Sequence, residues 1–319
     1  MSGRKSIGRL RGIAQNNYII LFIILAMGVM AAVSPFFLGI TNLLGILNQI
    51  AIYGIVAFAM TYAVICGEFD LSVATTFPMS GVLFIMFVDR HGVLPSLLIA
   101  LSYGLAIGCL NGVLVSLLRI NSFIVTLGTM LVSNGVGMTV TRGNTLKTAH
   151  EGITAFGDWR YGSLTAFFFI FLALGLIAQF VLSRTRFGRN LYATGGNQEV
   201  ARLSGINTRF YKFIIFVILG VSASLAGVLL AVRLSAHAAD YGKDLAMYAV
   251  SVVIIGGASL AGGKGSIGKT FLGLFFMGVI FNGFNLIQVQ SYIQAGIKGL
   301  ILIFVVLLDH YSPRKRAYE

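Results

Sequence analysis

The sequence predicts an all-α fold, a polytopic transmembrane helical bundle of about ten spans. The 319-residue chain is 57% hydrophobic and only 10% charged, whereas soluble domains carry about 25% charged residues. Residues 12–67 contain no charged side chain, and a helix needs about 20 apolar residues to cross a bilayer. This first run therefore leaves room for two spans.

Eight further charge-poor runs predict one span each. They cover 71–88, 91–118, 120–141, 161–183, 213–232, 245–263, 270–287 and 289–308, the last broken only by Lys298. The first apolar segment follows basic residues as in a signal peptide, but it lacks a small-residue cleavage site and more spans follow, so we expect an uncleaved helix. The whole of 1–319 is predicted to form one transmembrane domain.

The positions of the cations predict the orientation. With ten spans both termini lie on one side; sixteen of the 23 Lys and Arg residues fall on that side, six on the other, and Lys298 lies within a span. Since cytoplasmic loops are rich in Lys and Arg, we expect both termini in the cytoplasm, with basic segments at 1–17 and 310–319. This arrangement explains the net charge of +13 without a nucleic-acid partner.

The most polar stretch, 183–212, lies between two apolar runs and is predicted to be a cytoplasmic loop. It carries six cations and one acid, which are Arg184, Arg186, Arg189, Arg202, Arg209, Lys212 and Glu199. Asn197 is a suitable N-cap, Glu199 falls in the first turn, and Gly205 can end a helix in the left-handed conformation. We therefore expect a short helix over 197–204.

Residues 263–270, GKGSIGKT, match the G-x-x-x-x-G-K-[ST] pattern of a phosphate-binding loop. That loop needs a buried parallel strand before it and an ordinary amphipathic helix after it. Here both flanks are membrane-like. We expect a tight glycine-rich connector, with Lys264 and Lys269 as cytoplasmic anchors, and no nucleotide site.

Two segments together resemble the membrane permease of ribose-type ABC sugar importers. Arg184 and residues 187–189, 193–197 and 203–207 follow that family's F-G-R, A-x-G-G-N and L-x-G-I-N pattern. Residues 254–266, IIGGASLAGGKGS, follow its V-I-G-G-T/A-S-L-x-G-G-x-G-S pattern. GEFDLSV at 67–73 and NSFIVTLGTM at 121–130 resemble two further motifs, and the similarity runs from about 40 to 309.

The chain departs from the family pattern at several positions. Glu68 stands where the family usually has Gly, Asn121 replaces Pro, and Lys269 replaces Gly, which creates the phosphate-loop match. In KDLAMY at 243–248 the E-L-D-A-I-A pattern is only partly kept, with Asp244 at the Glu position. These departures leave the family unchanged and the sugar unidentified.

The resemblance implies a homodimer in the bacterial inner membrane, a cytoplasmic ABC ATPase subunit and a periplasmic sugar-binding protein. It implies pentoses, hexoses or related polyols as substrates. No catalytic residue, cofactor or metal is expected, and ATP hydrolysis is expected on the separate ATPase. The loop over 183–209 is then the ATPase-coupling loop, with candidate residues Arg184, Gly188, Arg189, Gly195, Gly196, Asn197, Glu199, Arg202 and Gly205.

Uncharged polar groups suit the passage of a hydroxylated solute, because bare polar groups in hydrocarbon cost several kcal/mol each. The candidate translocation pathway residues are Asn48, Asn111, Asn121, Phe123, Asn134, Asn282, Asn285 and Gln288; Gln49 and Gln179 are further intramembrane amides. The last three candidates recur every three residues, which places them on one side of a helix. The alternative for each amide is a hydrogen bond between helices.

Glu68 and Asp70 are candidate functional acids, because acids at membrane depth usually serve a function. The alternative is a solvated cytoplasmic turn in which Asp70 caps the next helix. Lys298 is expected to pair with Asp309, to pair with an acid from another helix, or to lie less deep.

Two other functions compete with the ABC sugar permease. A facilitated or proton-coupled sugar carrier would use Glu68, Asp70 and Lys298, but neither half repeats an acidic or Arg motif. An amino-acid ABC permease would favour charged pathway residues, which are scarce. His237 and Asp240 alone do not make a metal site, and the two cysteines lie in apolar runs.

Overall fold

The computed structural model describes residues 18–310, so the predicted basic segments 1–17 and 310–319 lie outside it except for His310. The described chain forms thirteen helices and four two-residue strands. The helices are α1 (Tyr18–Val33), α2 (Ile40–Cys66), α3 (Val73–His91), α4 (Val93–Ser116), α5 (Ser122–Thr141), α6 (Glu151–Asp158), α7 (Ala166–Arg184), α8 (Arg186–Gly196), α9 (Gln198–Leu203), α10 (Thr208–Leu234), α11 (Leu245–Ile255), α12 (Ile267–Leu286) and α13 (Ser291–His310). The strands are β1 (Leu146–Lys147), β2 (Arg160–Tyr161), β3 (Leu164–Thr165) and β4 (Ala236–His237).

Seven of these helices, α2, α3, α4, α5, α7, α10 and α12, are long and apolar enough to cross a membrane. Shorter apolar helical segments lie in α1, α11 and α13. The prediction of an all-α polytopic membrane protein is confirmed. The two helices expected within 12–67 are α1 and α2.

The run 245–263 differs from its prediction because it is helical only as far as Ile255. Gly257, Gly262 and Gly263 follow with positive φ, a conformation that glycine adopts without a steric penalty. A short helix followed by a glycine-rich loop therefore replaces the continuous helix.

The core of the bundle is built around α2, α3 and α10. The helix α10 packs along α4, α3 and α2, and α2 also contacts α7, α11 and α12. In α2 nearly every residue from Ile50 to Cys66 is buried, and Phe58 stacks on Phe171 of α7 with ring centroids 4.9 Å apart. An all-round apolar helix such as α2 is suited to this central place.

The helices α4 and α10 approach closely through small residues. A Cβ on Gly104 would lie 2.3 Å from the carbonyl oxygen of Gly220, and a Cβ on Gly220 would lie 2.1 Å from that of Gly104. The Ser224 hydroxyl donates to the Ala100 carbonyl at 2.5 Å. Small residues allow such backbone contact between membrane helices.

The two polar stretches expected on the outer side, 142–162 and 234–246, contain short elements and are joined. Strand β1 pairs antiparallel with β4, with Leu146 opposite His237. Strands β2 and β3 form a second antiparallel pair, and α6 packs against α10. The ladder between β1 and β4 ties the segment after α5 to the segment after α10.

Candidate functional site

The basic segment 183–209 forms two helices, α8 and α9. The short helix expected at 197–204 is confirmed as α9, and Asn197 caps it by accepting hydrogen bonds from the N–H groups of Glu199 (3.1 Å) and Val200 (3.0 Å). Gly205 follows the helix with φ +82°. The helix α8 was not foreseen; the Thr185 hydroxyl at its start accepts from the Gly188 N–H at 3.4 Å.

The outer surface of α9 mixes charge with exposed apolar side chains. Arg202 donates to Glu199 at 2.7 Å, and these two side chains are 64% and 65% exposed. Val200 is 56% and Leu203 76% exposed. A six-residue helix cannot hold its conformation by propensity alone, so its caps and its contacts with α8 position this surface.

The helix α8 rests directly on the backbone of the bundle. A Cβ on Gly195 would lie 1.7 Å from the carbonyl oxygen of Ile65, near the end of α2. The Gly263 N–H donates to that same carbonyl at 2.8 Å, and the Tyr192 hydroxyl donates to the Gly265 carbonyl at 2.7 Å. A displacement of α8 therefore presses on both α2 and the loop before α12.

The GKGSIGKT segment lies in this contact, between α11 and α12. A Cβ on Gly263 would meet the Cα of Gly196 at 2.7 Å. Ser266 caps α12 by accepting from the Lys269 N–H at 3.3 Å, and the Gly268 N–H donates to the Gln179 side chain at 3.2 Å. These contacts match a tight connector, and they occupy N–H groups that a phosphate loop would direct at its ligand.

The turn between α2 and α3 is buried, so the alternative of a solvated turn is wrong for both of its acids. Glu68 is 7% and Asp70 1% exposed. Glu68 Oε1 lies 2.5 Å from Lys212 Nζ of α10. The sequence contained both residues but offered no signal for the pairing, because they are far apart along the chain.

Asp70 and Asn111 meet at Ser72, just before α3. One carboxylate oxygen of Asp70 accepts from the Ser72 N–H (2.8 Å) and hydroxyl (2.5 Å), and the Asn111 amide donates to the same hydroxyl at 2.9 Å. Among the described residues the second carboxylate oxygen has no partner. Burial is the main reason that the pKa of Asp70 is raised to about 6.

Asn48 joins α2 to the hairpin of β2 and β3. Its amide donates to the Ser163 carbonyl at 2.7 Å, and its carbonyl oxygen accepts from the N–H and the hydroxyl of Thr165, both at 3.0 Å. The three remaining candidates of the first half lie on α5 or at its start. Asn121 caps this helix by accepting from the Phe123 N–H at 2.9 Å, and the side chains of Phe123 and Asn134 are exposed on it.

Of the three amides expected on one side of a helix, Asn282 and Asn285 lie on α12 but Gln288 does not. Asn282 exchanges two 2.9 Å hydrogen bonds with Asn42 of α2. Asn285 accepts from Gln294 of α13 at 3.0 Å. Gln288 lies beyond the end of α12, with φ +57°, because the helix stops before the turn into α13.

Lys298 pairs with an acid from outside its own helix. Its ammonium lies 3.6 Å from Asp244 at the start of α11 and 5.4 Å from the centre of the Phe281 ring. The side chain of Asp309, the other suggested partner, lies outside the described part. In residues 18–310 no three His, Cys, Asp or Glu side chains come together in a way that could hold a metal.

Residues 42–306 match the family described as "Branched-chain amino acid transport system / permease component". The ribose import permease protein of Escherichia coli (strain K12) is 35% identical over 315 residues, 97% of this chain and 98% of that protein. The L-arabinose transport system permease protein of the same strain is 32% identical over 290 residues, 88% and 86% of the two chains. The D-allose transport system permease protein of that strain is 33% identical over 296 residues, 92% and 90%.

No solved structure matches the chain significantly. The family match covers most of the chain, and three relatives above 30% identity extend along nearly all of it. The chain belongs to the family of membrane permeases of ribose-type ABC sugar importers.

Proposed function

We propose that this protein imports a sugar or related polyol, delivered by a separate periplasmic binding protein and driven by a separate cytoplasmic ABC ATPase. The observation that carries the proposal is the capped helix α9, which presents Val200, Leu203 and an exposed ion pair while α8 rests on the end of α2. A permease that works alone has no use for such a surface. The relatives named for ribose, L-arabinose and D-allose favour a sugar over an amino acid.

The proposed topology has ten spans and both termini in the cytoplasm, in a bacterial inner membrane. Seven long apolar helices and three shorter apolar segments support that number, and the cation distribution supports the orientation. A single domain over 1–319 has basic ends at 1–17 and 310–319 and its coupling loop at 183–209. A homodimer of this chain would surround the pathway.

Within this proposal the residue roles remain those expected from the sequence. The coupling residues are Arg184, Gly188, Arg189, Gly195, Gly196, Asn197, Glu199, Arg202 and Gly205. The pathway candidates are Asn48, Asn111, Asn121, Phe123, Asn134, Asn282, Asn285 and Gln288. Glu68 and Asp70 are the candidate functional acids, and their burial beside α10 and α4 supports a role in holding the cytoplasmic end of the bundle.

The test reverses both charges on α9. Glu199→Arg with Arg202→Glu keeps the ion pair but exchanges its signs, which costs α9 about 0.3–1 kcal/mol per charge through the helix dipole and removes its charge complementarity to the ATPase. We expect binding-protein-dependent uptake to fail although the permease inserts normally. Lys269→Glu, a charge reversal outside α9, is the control and should retain uptake.

Normal ATPase co-purification together with normal uptake by the double variant would contradict the coupling role. Uptake of sugar by the permease alone, without ATPase or ATP, would instead support the secondary carrier.

A further inference from the structure

A cavity of about 810 Å³ opens among α2, α10, α11, α12 and α13, at the ends of these helices that the proposed topology places outside. Its remaining wall is the connecting segment 240–244. Small-molecule sites are typically concave spaces of about 300–1,000 Å³. None of the pathway candidates lines this cavity. Gln49, one of the further intramembrane amides, does line it.

Four charged side chains line this cavity, namely Asp240, Lys243, Asp244 and Lys298. Two are acidic and two are basic, so their formal charges cancel. A charged residue within a membrane helix, as Lys298 is on α13, usually faces the bundle interior or a water-filled cavity and often marks a substrate path. A balanced set disfavours a solute with a net charge, such as a sugar acid.

Lys298 and Asp244 form an ion pair in which both groups can still bind a further partner. Their charged atoms lie 3.6 Å apart, and the side chains remain 34% and 49% exposed. Lys298 offers donors and Asp244 offers acceptors. Two hydroxyls on adjacent carbons of one sugar can therefore bridge them, one accepting from the ammonium and the other donating to the carboxylate.

Two tyrosines add aromatic walls. The rings of Tyr53 and Tyr248 meet edge to face with centroids 6.1 Å apart, and Tyr53 stacks on Phe77 at 5.8 Å. Within residues 18–310 neither tyrosine hydroxyl has a hydrogen-bond partner. Both side chains border the cavity, so they present a rigid apolar face and free hydroxyls to an occupant.

We propose that this cavity is a transient binding site for the sugar inside the permease, which takes solutes that carry a vicinal diol. Lys298 and Asp244 bind the diol, and Tyr53 and Tyr248 face the C–H side of the sugar ring. This inference rests on the proposed function. It adds a selectivity step after the binding protein has released its ligand.

The transport test uses the complete transporter in vesicles, with D-ribose and 2-deoxy-D-ribose each loaded at saturation on the binding protein. The deoxy sugar lacks the C2 hydroxyl, so its pyranose ring keeps only the C3–C4 diol of the adjacent hydroxyl pairs that D-ribose offers. Lys298→Met and Asp244→Asn should slow D-ribose uptake by about tenfold to hundredfold, as for a lost hydrogen bond to a charged group. The ratio of D-ribose to deoxyribose uptake should fall toward one. Lys298→Arg should keep the ratio, and Ser102→Ala, whose hydroxyl bonds only its own helix at Leu98, should change nothing.

A labelling test detects occupancy without transport. With Cys66 and Cys109 replaced by Ala, Leu234→Cys places a thiol on the cavity wall, where Leu234 is 49% exposed. High concentrations of D-ribose should slow its modification by a water-soluble thiol reagent. Val93→Cys, at the outer end of α4 and 42% exposed, should react at the same rate with and without sugar.

The outcomes separate the two proposals. Absence of any sugar uptake by an assembled wild-type complex contradicts the proposed function. Wild-type uptake with an unchanged ribose-to-deoxyribose ratio in the variants and no protection at position 234 overturns the cavity site alone. Tyr248→Phe removes a single hydroxyl and leaves the packing, so a lower ratio in this variant supports the site even where a charge variant fails to fold.

Discussion

Lys212 Nζ of α10 lies 2.5 Å from Glu68 Oε1 in the turn after α2, and the two side chains are only 17% and 9% exposed. In the proposed topology this buried charge pair lies at the cytoplasmic end of the core. The pair joins α10, which follows the basic segment 183–209, to the end of α2, the helix on which α8 rests.

Breaking this pair should destabilise the protein strongly. Lys212→Met leaves Glu68 buried without its counter-charge, which costs about 3–5 kcal/mol. Replacing both residues with Met removes the unpaired charge and should recover most of that loss. Unfolding of the detergent-solubilised protein measures both effects.

The matched control is Arg202→Met, which breaks the exposed pair with Glu199. An exposed pair contributes about 0–1 kcal/mol. If Lys212→Met were no more harmful than Arg202→Met, the buried pair would not stabilise the fold.

Alanine should be harmful at Gly195 and tolerated at its neighbour Gly196. A Cβ on Gly195 would lie 1.7 Å from the Ile65 carbonyl oxygen, whereas a Cβ on Gly196 meets nothing within 4 Å. Gly195→Ala should lift α8 from α2 and reduce uptake, and Gly196→Ala should be tolerated. Uptake and ATPase co-purification measure this difference, and equal behaviour of the two variants would contradict the contact role of α8.

Lys269→Ala should leave ATP hydrolysis by the assembled complex largely unchanged. The Ser266 hydroxyl accepts from the Lys269 N–H and caps α12, and Gly263 packs against Gly196 of α8, so this backbone is already engaged within the protein and does not form a phosphate site. The purified permease alone should show no saturable ATP binding. Binding that disappears in this variant would show that the segment is a nucleotide site after all.

Asp70→Asn should change how stability depends on pH. The pKa of Asp70 in the folded protein, about 6, lies above its ordinary 3.8, so the folded state binds this proton more tightly. That stabilisation is present below about pH 4 and is lost as the pH rises through 6. We expect the variant to be more stable than the wild type at pH 7, with the difference shrinking toward pH 4.

The stability of the variant must be compared with that of the wild type at each pH, because the titration of His237 changes stability in the opposite direction. Its burial lowers its pKa from 6.5 to about 4, and its contribution is lost as the pH falls through that range. A stability difference between Asp70→Asn and wild type that stays constant with pH would exclude Asp70 as the titrating group.

Asn282→Leu should lower stability because it removes the two hydrogen bonds exchanged with Asn42. Hydrogen bonds between membrane helices contribute about 0.6–1.7 kcal/mol. Asn134→Leu, an exposed position on α5, is the control and should be nearly neutral in a thermal melt. Normal stability of Asn282→Leu with slower uptake would assign Asn282 to the pathway instead.

Local signals predicted the apolar helices and the short helix α9 well. Runs without charge located the apolar helices because a charged side chain in hydrocarbon is costly wherever it falls. Asn197 and Gly205 located α9 because capping depends on residues a few positions apart. The prediction of a continuous helix over 245–263 was wrong for a local reason as well, since five glycines in 256–265 favour a loop over a helix.

The contacts of the polar residues could not be predicted in this way. Asn282 and Asn285 suggested one polar helix side, yet they bond to two different helices, α2 and α13. For Glu68 the sequence left open a functional acid or a solvated turn, and only the structure shows that Lys212 of α10 covers it. Each partner lies far along the chain, and nothing in the spacing of an amide or an acid specifies which distant helix will face it.

The sequence by itself determined the class of this protein, its apolar helices and its family, because these depend on composition and on motifs read along one chain. Only the tertiary structure decided that α8 rests on Ile65, that Lys212 neutralises Glu68, and that Lys298 and Asp244 line one cavity. The physical reason is that the effect of a buried charge, or of a missing Cβ, depends on which residue lies opposite it. Those neighbours exist only once the helices have packed.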